Sequence, residues 1–115
     1  MSDGNTMDGF DWARHEERIA GLNGVIDIGI GKFAVAETGL EMTELGELFQ
    51  GLYHQLIDGG ANVTNLTCPK GIIAVYVRRR GKSLDVGTRR DWEQLGWSNL
   101  CDLLDADARK QRGNQ

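Results

Sequence analysis

The sequence predicts an α+β domain, in which helices pack on one face of a mainly antiparallel sheet of four or five strands. Segments with apolar residues at helical spacing alternate with segments rich in β-branched and aromatic residues. Two of the β-rich regions contain a Gly-Lys dipeptide typical of a tight turn, and capping-box patterns precede two of the helical segments. The length of 115 residues fits one domain with a single core.

Charge is distributed unevenly along the chain. The formal net charge is −4, but residues 1–66 hold three basic and eleven acidic side chains, whereas residues 67–115 hold ten basic and six acidic ones. The acidic total argues against a general nucleic-acid coat protein. Cys68 and Cys101 are isolated, and no apolar leader or membrane-spanning run occurs, so the sequence predicts a cytoplasmic protein with reduced thiols.

The N-terminal region is predicted to contain a flexible arm and a helix. Residues 1–8 are small and polar and form the arm, and the single domain is predicted over residues 9–108. The helix is predicted from Phe10 to Leu22. Its inward face consists of side chains at helical spacing: Trp12, His15, Ile19 and Leu22.

A hairpin is predicted next. Val25–Ile30 and Phe33–Glu37 alternate apolar and small residues on either side of Gly31-Lys32, which predicts two strands joined by a two-residue turn.

A second helix is predicted to begin at the capping box formed by Thr38 and Glu41 and to end near Ile57. Its apolar stripe consists of Leu45, Leu48, Phe49, Leu52, Leu56 and Ile57. Gly46 and Gly51 lie within it and would let another element approach closely.

Residues 61–67 leave two interpretations open, a short strand or a loop closed by Cys68-Pro69. The strongest strand signal follows, from Ile72 to Val77, and leads into a predicted turn at Gly81-Lys82. This turn pairs Val77 with Val86, Arg79 with Leu84, and Arg78 with Asp85.

A last helix is predicted from a second capping-box pattern, Thr88 to Asp91, to about Ala108, followed by a flexible polar tail over residues 109–115. Trp97 and Cys101 are predicted to lie on its flank. The side chains predicted to face inward are Trp92, Leu95, Leu100, Leu103 and Leu104.

The second half of the chain echoes the first at an offset of 50 residues. The matches are Gly31-Lys32 with Gly81-Lys82, Thr38 with Thr88, and Leu45-Gly46 with Leu95-Gly96. Two ββα units behind an N-terminal helix would produce them, and so would convergent turn and cap chemistry without any duplication.

A basic cluster at the second hairpin and the following helix is the first candidate site. It consists of Arg78, Arg79, Arg80, Lys82, Arg89 and Arg90, with Tyr76 on the same strand face as Arg78. Arginine forks bind phosphate or carboxylate with paired hydrogen bonds, and Tyr76 would stack on a base. Three interpretations remain open: a solvated hairpin tip, a contact with an acidic protein surface, and a nucleic-acid contact.

An acidic surface is the second candidate site. Glu37, Glu41, Glu44 and Glu47 surround the predicted start of the second helix. Acidic side chains there interact favourably with a helix N-terminus. Alternatively, the same surface is predicted to occupy the basic groove of a partner, as nucleic-acid mimics do.

Signs of catalysis are weak. His15, His54 and the two cysteines lack the spacing of a metal site, and no G-x-S-x-G, H-E-x-x-H or Walker motif occurs. The sequence therefore predicts a protein that is not an enzyme and uses no cofactor or metal.

The leading hypothesis is a small acidic interaction protein that binds another macromolecule and regulates or inhibits it, as accessory proteins of phages and other mobile elements do. A nucleic-acid-binding protein that uses the hairpin 78–82 is the first alternative. The predicted element order is similar to that of the small acidic dimeric chaperones of bacterial secretion systems, which is the second. The apolar sheet face with Ile72 and Tyr76 predicts a homodimer or a partner contact.

Overall fold

The computed structural model describes residues 16–20, 27–53, 60–81 and 83–113, and the predicted α+β class is confirmed. The strands in this part of the chain are β1 (Glu16–Ala20), β2 (Asp27–Gly31), β3 (Ala61–Cys68), β4 (Gly71–Arg80) and β5 (Ser83–Thr88). The helices are α1 (Lys32–Thr38), α2 (Met42–Gly51), α3 (Arg89–Gln94) and α4 (Ser98–Gly113). No helix in these residues is long and apolar enough to cross a membrane.

The strands form one sheet in the spatial order β1-β2-β5-β4-β3. Neighbouring strands are antiparallel, except for β2 and β5, which are parallel. β5 therefore lies in the centre, and β1 and β3 lie at the two ends of the order.

The β4–β5 hairpin has the predicted register. Its pairs include Val77 with Val86, Arg78 with Asp85, and Arg79 with Leu84. Gly81 in the connection has a φ of 57°, which glycine adopts without steric cost. The segment left open between strand and loop is a strand, since β3 pairs with β4 along its whole length.

The predicted first hairpin is wrong in its second half. β2 covers part of the predicted first strand, but the residues after Gly31 form α1 instead of a returning strand. Asp91 of α3 accepts hydrogen bonds from the backbone N–H groups of Phe33 and Ala34, at 3.0 and 2.9 Å. These groups lie in the first turn of α1, and its N-cap residue, Gly31, has no side chain to satisfy them. The cap that favours a helix here therefore comes from a distant part of the chain.

The predicted first helix is wrong over residues 16–20, which form β1 and pair with β2. Its other residues, and the predicted arm over residues 1–8, lie outside the described part of the chain. Ile19 of β1 approaches α2, where a β-carbon at Gly46 would lie 3.0 Å from its Cδ1. The predicted close approach at Gly46 is confirmed, whereas Gly51 has open space around it.

The N-cap of α2 lies three residues after Thr38, the predicted N-cap. Thr38 is the last residue of α1, and Gly39 ends that helix with a φ of 77°. Glu41 is the N-cap of α2 and forms a capping box with Glu44. The predicted end near Ile57 falls outside the described residues.

The predicted last helix is two helices. α3 begins at the predicted capping box of Thr88 and ends in a Schellman motif, in which the N–H of Trp97 donates to the carbonyl of Trp92 at 2.8 Å. Gly96, at a φ of 83°, completes the motif. The break changes which residues face inward: Trp97 and Cys101 are buried, and Leu103 is 68% exposed. α4 then continues into the predicted tail, to Gly113.

The sequence predicted helices on one face of the sheet, and this is wrong. The helices lie on both faces. α1 and α2 cover the aliphatic core, which consists of Ile28, Ile30, Ala34, Leu45, Phe49, Leu66, Val75, Val77, Leu84 and Val86. α3 and α4 cover the opposite face around the tryptophan cluster, which consists of Tyr76, Trp92, Leu95, Trp97 and Cys101. The two Gly-Lys dipeptides also differ in role, because one precedes a helix and the other a strand. The echo at offset 50 therefore does not reflect two equal ββα units.

Candidate interaction surfaces

The predicted basic cluster is divided between different environments. The guanidinium of Arg78 lies 4.3 Å from the ring centroid of Trp97, and its side chain is half-buried. Arg79 is exposed on the other face of β4, where its Nε donates to the carbonyl of Gly81 at 3.1 Å. The side chain of Arg80 and the whole of Lys82 lie outside the described part of the structure.

Arg89 is held among carboxylates of α3 and α4. Its Nε donates to Glu93 at 3.0 Å, its Nη1 to Asp105 at 2.8 Å, and its Nη2 to Asp102. The bonds to Asp102 and Glu93 raise the pKa of Arg89 above its usual value, so the guanidinium stays charged. Arg89 therefore joins the two helices, and these donors are not directed at a partner.

Tyr76 does not offer a ring on which a base could stack. It is 3% exposed beneath α3 and α4, and its hydroxyl donates to Asp105 at 2.7 Å. Burial, together with this hydrogen bond, raises the pKa of Tyr76 to about 12. The apolar sheet face predicted for a dimer is likewise covered at this residue.

Arg90 and Lys32 lie against the same aromatic ring. The guanidinium of Arg90 is 4.6 Å, and the Nζ of Lys32 5.4 Å, from the ring centroid of Phe33 on α1. Both cations are exposed. Arg79 and Arg90 are thus the exposed members of the predicted basic cluster among its described side chains.

Asp91 caps two helices at once. Its Oδ2 accepts from the N–H groups of Thr88 and Ala34, and its Oδ1 from that of Phe33. Burial raises the pKa of Asp91, against the opposing effect of these hydrogen bonds. A β-carbon at Gly31 would lie 2.6 Å from Oδ1, and one at Gly87 would lie 2.8 Å from the Asp91 Cβ. The two glycines leave the space that this carboxylate occupies.

A second polar cluster joins β1, β2 and β5, and sequence reasoning missed it. Arg18 donates to Asp27 at 2.7 Å and to Asp85, which is 1% exposed, at 3.3 Å. Burial lowers the pKa of Arg18, but its hydrogen bonds and the charges of both aspartates outweigh this and raise it. A β-carbon at Gly29 would lie 2.5 Å from the Arg18 Nη1. Glycine at alternate positions of a strand was the available signal, since it leaves room for a neighbour's polar side chain.

The acidic surface lies at the junction of α1 and α2. Glu37 is half-buried, and Glu41, Glu44 and Glu47 are exposed. The N–H of Glu41 donates to Glu44 at 2.9 Å, as the capping box requires. In the described part of the chain, no basic side chain forms an ion pair with any of the four.

The two cysteines lie in different environments. Burial raises the pKa of Cys101 to about 11, so this thiol is protonated at neutral pH. The Sγ of Cys68 donates to the carbonyl of Gly71 at 2.9 Å. The described residues contain no group of His, Cys, Asp and Glu side chains placed to hold a metal ion, and His15 and His54 lie outside them.

No family model, curated protein or solved structure matches this chain. The similarity to secretion chaperones depends on a predicted order of helix, hairpin, helix, strand, hairpin and helix. The described elements follow the order ββααβββαα instead, so the order does not support that similarity.

Proposed function

We propose that this is a small non-enzymatic protein that binds a basic surface of another macromolecule through Glu37, Glu41, Glu44 and Glu47, and thereby regulates or inhibits its partner. The observation that carries the proposal is that the four glutamates have no ion-pair partner among the described basic side chains. An acidic patch without internal counter-charges attracts and orients a basic partner.

Several described basic side chains, in contrast, contact groups of their own domain. Arg18 and Arg89 form ion pairs with aspartates, and Arg78 and Arg90 lie against aromatic rings. Lys70 donates from its Nζ to the carbonyl of Ala36 at 2.9 Å. These contacts favour the acidic surface over the basic cluster as the part that meets a partner.

Buried titratable groups support a non-enzymatic function. Asp85 bonds to Arg18, Asp91 to the N-termini of two helices, and Tyr76 to Asp105. Each of these contacts joins one secondary-structure element to another. The polar groups that would ordinarily suggest catalysis are thus used to hold the fold together.

Neutralising two of the glutamates tests the proposal. Glu37 and Glu47 lie outside the Glu41–Glu44 capping box, so the double variant E37Q/E47Q retains the cap of α2. We expect partners cross-linked to the tagged wild type in its native host, and quantified by mass spectrometry, to fall roughly 5-fold or more with this variant.

The variant E93Q/D107N serves as the matched control for that experiment, because it makes the same change in net charge on α3 and α4. It should retain the partners at wild-type levels. Equal losses with both variants, or recovery of the wild type without any partner, would contradict the proposed acidic surface.

Nucleic-acid binding is expected to be absent. Tyr76 is buried and Arg89 is held by carboxylates, which removes two of the predicted contacts. We expect no gel shift with duplex DNA, single-stranded DNA or RNA at about 50 mM salt. A shift that weakens steeply with salt and disappears in the variant R79A/R90A would instead establish the basic alternative and reject our proposal.

A further inference from the structure

β3 is a sheet edge that lacks the usual protection against pairing. No described strand lies beyond it. Eight consecutive pairs, from Ala61–Arg78 to Cys68–Gly71, join it to β4 without a bulge, and it contains neither a charged residue nor proline. Charges, proline and bulges are the features by which edge strands normally avoid a further strand. β3 is therefore competent to accept one.

The backbone groups that would accept a further strand can be identified. The N–H of Arg79 donates to the carbonyl of Gly60 at 2.8 Å, which establishes which β3–β4 pairs are hydrogen-bonded. The residues of β3 whose N–H and C=O groups point away from β4 are then Ala61, Val63, Asn65 and Thr67. Consistently, the N–H of Val63 bonds to the side-chain oxygen of Asn62 at 2.8 Å.

α4 lies above this edge. It packs against β3, and the flank that carries Asp102 and Asp105 faces Arg89. Leu100 and Leu103 lie on the opposite flank, because a helix has 3.6 residues per turn. Leu100 packs beside the tryptophan cluster, as Val63 does.

Two apolar side chains remain exposed on the α4 side of the sheet. Leu103 is 68% exposed, and Ile72, which pairs with Thr67 and shares the sheet face of Tyr76, is 73% exposed. They are the large apolar residues that the described part of the chain leaves open to solvent. Exposed apolar side chains beside an unprotected strand are typical of a protein-binding site.

We propose that the open edge of β3 and the α4 flank that carries Leu103 form a groove, which binds an extended segment of a partner protein as a further strand beside β3. The N–H and C=O groups of Asn65 and the C=O group of Val63 would bond to the segment, whose pairing at Val63 N–H requires that the Asn62 side chain be displaced. The segment's alternate side chains would be uncharged and apolar, because on this face they would lie beside Leu103 and the uncharged side chains of Val63 and Thr67. This proposal rests on the proposed function as a protein-binding protein and adds a surface on the sheet face opposite α1 and α2.

A second copy of β3 does not fit the edge as well as a foreign segment. A two-fold antiparallel pairing keeps both α4 helices on the same face, above neighbouring strands about 4.8 Å apart. Packed helices need about 8–10 Å between their axes. A partner segment without its own covering helix avoids this conflict.

Asn65→Pro tests the groove. It removes an outward N–H and places the proline ring where the added strand would lie, without removing a bond to β4. The probe is a phage-displayed library of twelve-residue peptides selected on the full-length chain. We expect enriched peptides to share alternating apolar, uncharged residues and to bind Asn65→Pro at least ~10-fold more weakly by fluorescence anisotropy.

Asn65→Ala keeps the N–H and is the matched control, with binding expected within about 2-fold of the wild type. Leu103→Asp places a charge on the exposed flank of α4 without altering β3, and it should weaken peptide binding by the same factor. This variant tests the groove even if Asn65→Pro destabilises the fold. Enriched peptides without a shared pattern, or peptides that bind Asn65→Pro and Leu103→Asp as tightly as they bind the wild type, would overturn the groove. That failure would leave the acidic surface intact, since the E37Q/E47Q experiment reports on the other sheet face.

Discussion

Replacing Asp91 with alanine should lower the free energy of unfolding by roughly 3–5 kcal/mol. Its carboxylate caps α1 and α3 together, and each lost cap costs about 1 kcal/mol. The substitution also leaves the N–H groups of Phe33, Ala34 and Thr88 without this acceptor in a largely buried site, at about 1–3 kcal/mol for each group that water cannot reach. The melting temperature should fall by roughly 10 °C or more.

Urea denaturation at neutral pH measures this loss. Glu93→Gln is the control on the same helix, because Glu93 is exposed and its ion pair with Arg89 contributes about 0.5 kcal/mol. Asp91→Asn should fall between the wild type and Asp91→Ala, since it keeps one carbonyl acceptor. A loss below about 1 kcal/mol for Asp91→Ala would show that α1 does not depend on this cap.

Gly31→Ala should lower the free energy of unfolding by roughly 2–4 kcal/mol, although it adds only a methyl group. The added carbon would lie 2.6 Å from the Asp91 Oδ1, so the carboxylate must move away from the N–H groups it caps. Gly51→Ala is the matched control. Gly51 lies in α2 with open space around it, so the same substitution should stabilise the protein there by about 0.5–1 kcal/mol.

A double-mutant cycle tests the stated cause. In the Asp91→Ala background the collision partner is gone, so Gly31→Ala should cost at least about 1 kcal/mol less than it does in the wild type. Thermal or urea unfolding of the four proteins gives the coupling directly. Equal costs in the two backgrounds would show that the alanine acts through something other than Asp91.

The β4–β5 hairpin and the start of α3 could be predicted because their signals are local. A turn at Gly81 and alternating side chains on either side of it are enough to align Val77 with Val86. Thr88 and Asp91 stand three residues apart, so one capping box contains its own partners. In both cases the residues that stabilise the element lie within or next to it.

α1 and β1 could not be predicted, because their partners are distant in sequence. The seven residues of α1 fit a strand or a helix equally well, and the cap that favours a helix is supplied by Asp91. Residues around Ile19 fit a helical stripe, but residues 16–20 bond as a strand to β2. A short segment that fits two periods adopts the one that its tertiary neighbours stabilise.

The candidate sites show the same division. Composition located the arginines and the acidic region, but it could not show that Arg89 bonds to three carboxylates or that Tyr76 lies under α3 and α4. Composition also could not show that β3 lies at the edge of the sheet, because this position depends on which strands pair with each other. The helix that lies above β3 was predicted with a different inward face, so Leu103 was expected in the core.

The sequence by itself determined the α+β class, the β4–β5 register, the capping box at Thr88 and the division of charge along the chain. Only the tertiary structure decided that helices cover both faces of the sheet, that α1 is a helix, and which charged groups are paired within the domain. The physical reason is the distance in sequence between the residues that interact. Turns and capping boxes are completed by residues within a few positions, whereas the cap of α1, the ion pairs of Arg18 and Arg89, and the open edge of β3 depend on residues that only folding brings together.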